Sequence, residues 1–266
     1  MAQYSATRLE TMTPKEYRSI VRRGEWTGSS LQSCRGYAMA DMAIVPKEYA
    51  LDFFLFCHRN PPVGGLLDVT EVGSPHPLSA APDADLRTDL PRYQVYEYGK
   101  IIDEPISIID YWRDDLVAFL TGCSASFDWA LQASNVCYRS TGAYTTTIPC
   151  VPAGPFHANM VVSCRLFAST HDALRAIQIT SRHIRVHGPP VHIGNPAAIG
   201  VKDICHPDRI YFGEVTPQQP SEIALFWACG ATLRAVATEA KLPLMIVDYP
   251  TSVFVTDRLG EELAIL

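Results

Sequence analysis

Ile223-Ala-Leu-Phe-Trp-Ala-Cys-Gly230, then Ala231-Thr-Leu-Arg-Ala-Val-Ala-Thr-Glu-Ala-Lys241, then Leu244-Met-Ile-Val247 follow one another with only Leu242-Pro243 intervening. The outer two are apolar runs of strand length and the middle one is filled with good helix formers, so the stretch reads as strand, helix, strand. Upstream the order repeats. Met160–Phe167 reads as a buried strand, Thr170–Thr180 as a helix, and Val186–Ile193 as a strand broken by Gly188-Pro189-Pro190. This alternation predicts an α/β protein.

Towards the N-terminus, Thr13-Pro14-Lys15-Glu16 combines an N-cap hydroxyl, a proline at the first helical position and a capping-box glutamate, which predicts a helix reaching Gly24. Pro46 opens a second helix with Tyr49, Ala50, Phe53, Phe54 and Cys57 on an apolar stripe, ended by Arg59-Asn60-Pro61-Pro62. Residues 60–92 are rich in Pro, Gly and Asp and predict an ordered but irregular excursion. Tyr93–Tyr98 alternates like a strand, and Asp110–Leu120 fits a helix ahead of Thr121-Gly122.

Composition narrows the function classes. The chain has 266 residues, 47% of them apolar, so it can bury a large core, and its net charge of −6 comes without any basic run suited to a phosphate backbone or a lipid surface. Nucleic acid and membrane are therefore not expected as partners. The first thirty residues lack the apolar stretch of a secretory signal, which makes the cytoplasm the expected compartment. The eight cysteines are scattered without a CxxC pair, and most of them read as buried free thiols.

Three groups of residues suggest chemistry. His187-Gly-Pro-Pro-Val-His192 places two imidazoles around a rigid bend, with Asn195, Asp203 and Glu214 near enough in sequence to orient them or to complete a hard metal site. Spacing alone favours a structural role for such a pair, because it is not the HExxH of a zincin. Thr121-Gly122-Cys123-Ser124-Ala125-Ser126 follows an apolar element and opens a helix, so its backbone N–H groups would hold a carboxylate, unless the hydroxyls simply cap the helix. Arg35, Arg87, Arg139 and Arg182 sit beside turns, where a guanidinium can clamp a carboxylate in bidentate fashion; ion pairing at the surface is the commoner fate.

The chain as a whole resembles the D-glutamate cyclase-like, or hydro-lyase, family. The resemblance rests on Cys34-Arg-Gly-Tyr37, Ala50-Leu-Asp-Phe-Phe-Leu-Phe-Cys-His-Arg-Asn-Pro61, Arg87-Thr-Asp-Leu-Pro91, Thr121-Gly-Cys-Ser124, Pro152-Ala-Gly-Pro-Phe156, His187-Gly with Pro190-Val-His-Ile-Gly194, and Phe226-Trp-Ala-Cys-Gly230. It implies a larger three-layer αβα part with a smaller two-layer α+β part, which we place at residues 1–115 plus 217–266 and at residues 116–216. The implied activity is loss of water from a small amino or carboxylic acid, in the named case closure of D-glutamate to 5-oxo-D-proline. A lyase or cyclase for a different small acid, or a binding protein that keeps the pocket without the chemistry, are the alternatives.

On this reading His187, His192, Cys123 and Ser124 are the catalytic candidates. Arg35, Arg87, Asp89, Ser126, Arg182 and Asn195 are the substrate-binding candidates. A divalent metal, Mn or Mg, would be held by His187, His192 and Asp203. Tyr144–Thr147 and the 60–92 excursion are candidate surfaces for a homo-oligomer. Two departures from the family strings stand out: Asn195 replaces an aspartate, and Val247-Asp-Tyr-Pro-Thr251 replaces Thr-His-Ala-Pro-Gly.

Overall fold

A computed structural model describes residues 4–210 and 217–265. Glu214 lies outside the described residues. The N-terminal segment supplies α1 (Ala6–Thr11) and α2 (Pro14–Arg22), and the Thr13/Glu16 capping box forms as expected. β1 (Tyr37–Pro46), α3 (Lys47–Arg59), α4 (Pro61–Gly64), β2 (Leu66–Val69), β3 (Tyr93–Glu97) and β4 (Lys100–Asp103) follow. The central region contains β5 (Leu116–Gly122), α5 (Ala125–Ala133), β6 (Arg139–Pro149), β7 (Asn159–Phe167), α6 (Thr170–Thr180) and β8 (His192–Ile193). β9 (Ile223–Ala228), α7 (Ala231–Ala240), β10 (Met245–Asp248) and β11 (Phe254–Leu259) complete the described elements.

Among the described residues the strands form two antiparallel sheets. The larger has the order β2-β5-β1-β10-β3-β4, with β11 also paired to β1, and the smaller has the order β6-β7-β9-β8. The protein is thus a mixed α/β structure with a larger sheet-and-helix region and a smaller four-stranded region.

β1 is the hub. Its residues alternate between two cores: Ala43 and Val45 join Phe53, Phe56 and Phe156 in one, whereas Ala40, Met42 and Ile44 join Leu86, Tyr93 and Trp227 in the other. Because both faces are covered, β1 reads as a continuous apolar run with no period of two, which hides it in the sequence. Each core also draws on both sheets, through Val162 and Phe226 on one side and Leu225 and Trp227 on the other.

Several expectations are corrected. Asp110–Leu120 is not a helix: Ile109–Tyr111 forms one 3-10 turn and Leu116–Gly122 is the strand β5, paired with β1 from Ala40↔Gly122 to Pro46↔Leu116. A short apolar run cannot tell strand from helix, and here the sheet partner decides. Of Val186–Ile193 only His192–Ile193 is strand, because His187 and Gly188 both adopt positive φ. Phe54, placed on the apolar stripe of α3, is exposed. The division at 115/116 and 216/217 does not follow the sheets either: β5 sits inside the larger sheet and β9 inside the smaller.

Candidate active site

The candidate site lies where β5 hands over to α5 and β9 hands over to α7. At both places one cysteine follows the strand, giving Gly122-Cys123-Ser124 and Ala228-Cys229-Gly230. Ser124 and Gly230, the N-cap residues, make no side-chain capping bond, so the first amides of both helices are left without that partner. The Ala231 N–H instead points to Cys229 Sγ at 3.5 Å.

These two helix starts face an inner cavity of about 50 Å³ lined by Asp41, Cys123, Cys229, Arg234, Asp248 and Thr251. It shares Leu31, Ala125, Asp128, Ser140 and Arg165 with an outer cavity of about 350 Å³ that extends to Glu10, Trp129 and Tyr138. The two together form a vestibule with a narrow closed end.

Two carboxyl groups dominate the closed end. Asp41 projects from the middle of β1, is 4% exposed, and its Oδ2 has no hydrogen-bond partner among the described residues. Gly230 makes its position available, since a side chain there would overlap the Asp41 carboxyl. Burial, and then the neighbouring Asp248, drive the Asp41 carboxyl well above the usual carboxylate range, with Arg234 and the Cys123 thiol pulling the other way. Asp248, at the end of β10, accepts the Met42 N–H at 2.9 Å and pairs with Arg234 Nη1 at 3.0 Å. Burial raises Asp248 too, but its ion pair with Arg234 opposes the shift, so Asp41 is the weaker acid of the two.

Arg165 supplies the matching cation. Its side chain is 4% exposed, its Nε and Nη2 form a fork onto Asp128 at 2.8 to 3.0 Å, and its Nη1 is 3.4 Å from Ser163 Oγ. The Phe127, Tyr138 and Trp227 rings surround the guanidinium at 5.0 to 5.7 Å. The bond at Nη1 is a long one and Arg165 lines both cavities, which suits a guanidinium that binds a carboxylate.

The candidates named from the sequence divide sharply. Cys123 and Ser124 line the inner cavity, yet burial and then Asp41 push the Cys123 thiol well above its ordinary value, so it is a neutral thiol rather than a ready nucleophile. Ser126 is buried and pins α5 to β1, donating to Met39 O and accepting from Met39 N. His187 is buried against Pro62 O at 2.7 Å and His192 holds Asn195 O at 2.7 Å, and neither lines the paired cavities. Burial lowers His187 to about 4, which keeps it neutral.

The remaining candidates are ion-paired or structural. Arg35 pairs with Glu10, Arg87 with Asp85, and Arg139 with Glu222. Asp89 is enclosed by Arg22 and Arg18, and Asn195 caps the 3-10 turn Pro196–Ile199. Arg182 binds Ile265 O. Asp203 forms an exposed pair with His206. Among the described residues no group of three His, Cys, Asp or Glu side chains is arranged to hold a metal ion, so His187, His192 and Asp203 do not fit that role together. No helix of the described residues is long and apolar enough to cross a membrane.

Sequence reasoning missed Asp41, Asp128, Arg165, Arg234 and Cys229. The signal was present as a charge inside an apolar run, in Ala38-Met-Ala-Asp-Met-Ala-Ile-Val45 and Met160-Val-Val-Ser-Cys-Arg-Leu-Phe167, because a buried charge needs a partner and so marks a constructed environment.

Comparison with known proteins places this site in a family. The sequence profile described as "D-glutamate cyclase" matches residues 117–257, a span that holds Cys123, Arg165, Arg234 and Asp248. The chain is 45% identical to "Putative hydro-lyase YcsI" of Bacillus subtilis over 96% of this chain and 100% of that protein. It is 46% identical to a "Putative hydro-lyase" of Rubrobacter xylanophilus over 93% and 96% of the two chains, and 43% identical to one of Stutzerimonas stutzeri over 98% and 99%. By these matches the chain belongs to the D-glutamate cyclase family of hydro-lyase-type enzymes.

Proposed function

We propose that this chain removes water from a small amino or carboxylic acid, with the Asp41–Asp248 pair moving protons and Arg165 holding a substrate carboxylate. As a family member it is an enzyme of the carbon–oxygen lyase class. The observation that carries the assignment of roles is the buried Asp41 carboxyl, with Oδ2 unpartnered among the described residues and its acidity weakened by burial and by Asp248, in a cavity it shares with Arg165. A leaving hydroxyl needs a proton donor that stays loaded at neutral pH, and a buried carboxyl beside a second carboxylate is one.

D-Glutamate is the substrate we infer at the finer level. Ring closure forms a bond from the amine nitrogen to the γ-carboxyl carbon and breaks a bond from that carbon to oxygen. Two protons leave the ammonium group and both end on the departing oxygen as water. Each proton takes the same route: Asp248 accepts from the nitrogen, Asp41 donates to the oxygen, and a proton passing from Asp248 to Asp41 resets the pair for the second transfer. The positive ends of the α5 and α7 helix dipoles favour the oxyanion formed in between. Because both reacting groups belong to one molecule, correct positioning can supply roughly 7–11 kcal/mol of the barrier in the best cases.

The test is NMR of the protein incubated with D-glutamate, with 5-oxo-D-proline and with a panel of small hydroxy acids, each with and without Mn²⁺ or Mg²⁺. Conversion that is lost in Asp41→Asn supports the reading; conversion that survives Asp41→Asn undiminished overturns it. Conversion of another acid alone keeps the site and replaces the substrate. Asp248, which occupies the histidine position of the family string Thr-His-Ala-Pro-Gly, is the observation behind that second reading.

A further inference from the structure

We propose that a second cavity, on the other side of α5 from the vestibule, binds a small organic anion with an apolar body. The cavity measures about 580 Å³ and is lined by Arg35, Trp129, Arg182 and His183, with Ile179 and Leu259 among its apolar walls. Arg35 and Arg182 bring two guanidinium groups to it, and among the described lining residues Glu261 supplies the one carboxylate. Among the described residues Arg182 is held through Nε, which donates to Ile265 O at 3.0 Å, and its terminal nitrogens carry no hydrogen bond there that a ligand would have to displace. His183 is 5% exposed and engages Ile179 O through Nδ1, which leaves Nε2 as an acceptor for a hydroxyl or amine on the same ligand.

The wall between the two cavities is thin. Trp129 lines both of them, and the Arg35 guanidinium lies 5.5 Å from its ring centroid. Arg35 Nη1 also holds Glu10, a vestibule residue, at 2.9 Å. An anion that draws Arg35 towards Arg182 therefore loosens Glu10 and changes the surroundings of Trp129. The two arginines that seemed from the sequence to be substrate clamps are assigned here to a site of their own.

Benzoate and inorganic phosphate are the probes, titrated into the full chain by calorimetry and by tryptophan fluorescence. Saturable one-to-one binding of benzoate, with phosphate at least tenfold weaker, is the expected result and distinguishes an organic carboxylate from a bare anion. Affinity for benzoate should fall at least tenfold in Arg182→Ala. It should fall equally in Ala133→Phe, which fills the cavity from an exposed position and leaves the Arg182–Ile265 contact in place. No binding, or binding unchanged in both variants, overturns the proposal. Neither readout depends on turnover, so a wrong substrate assignment leaves the test intact.

Discussion

Gly230 lies against Asp41 so closely that a Cβ at position 230 would overlap the Asp41 carboxyl. Asp41 cannot retreat, because β1 is paired on both sides and Asp41 sits opposite Thr121 in that ladder. Gly230→Ala should therefore turn the Asp41 side chain out of the cavity. We expect a stability loss of about 1–3 kcal/mol in urea unfolding, the usual cost of overpacking. Turnover of the acid identified by NMR should fall at least a hundredfold, and wild-type turnover in this variant would show that Asp41 does not act from its observed position.

Asp41→Asn separates chemistry from stability. The variant should lose about 10²–10⁴ in kcat, the range for removing a general acid. Its stability should change with the opposite sign at neutral pH. The folded state holds the Asp41 proton well above the pH at which an unfolded aspartate ionises, about 3.9, so the native protein binds more protons and loses stability as pH rises past that point. The asparagine variant lacks this component. Melting temperatures from pH 4 to pH 8 should show the variant gaining on the wild type as pH rises; a constant difference would mean that Asp41 titrates normally.

Arg165 is tested by a pair of substitutions. Arg165→Met leaves Asp128 without its fork of hydrogen bonds and removes a cation from three aromatic rings, so about 3 kcal/mol of stability should go. Arg165→Lys keeps the charge but cannot bind Asp128 and a substrate carboxylate together. The lysine protein should fold and show KM raised at least tenfold with kcat less affected. A fall in kcat with KM unchanged would remove Arg165 from substrate binding.

The sequence exposes those parts of this fold that are covered on one face or capped by a local motif. Thr13 and Glu16 announce α2, and α6 buries Ala173, Ala176 and Thr180 at helical spacing. β1 and β5 stayed hidden because both faces are buried, and Asp110–Leu120 was read as helix for the same reason. The site followed this division. Cys123 and Ser124 were found because a turn before a helix has a local signature, whereas Asp41, Arg165 and Asp248 meet only through strand pairing between distant segments. Proximity in sequence around Gly188-Pro189-Pro190 does not bring the two histidines to the paired cavities. In the structure positive φ at His187 turns its ring under Pro62 instead.

His187 then acts on stability, and its pH dependence runs opposite to that of Asp41. Burial holds its imidazole neutral, with a folded value of about 4 against about 6.5 in the unfolded chain. Between those values the unfolded state binds the extra proton, so the stabilisation is complete above about 6.5 and is lost as pH falls towards 4. The shift corresponds to roughly 3 kcal/mol across that window. His187→Asn is the informative variant, because asparagine tolerates the φ of +69° and its amide can still donate to Pro62 O. Urea unfolding at pH 7.5 and pH 4.5 should show the wild type losing more stability than the variant as the solution is acidified. Equal losses would mean that His187 charges freely in the folded protein, which would return it to the list of groups able to exchange protons with a substrate.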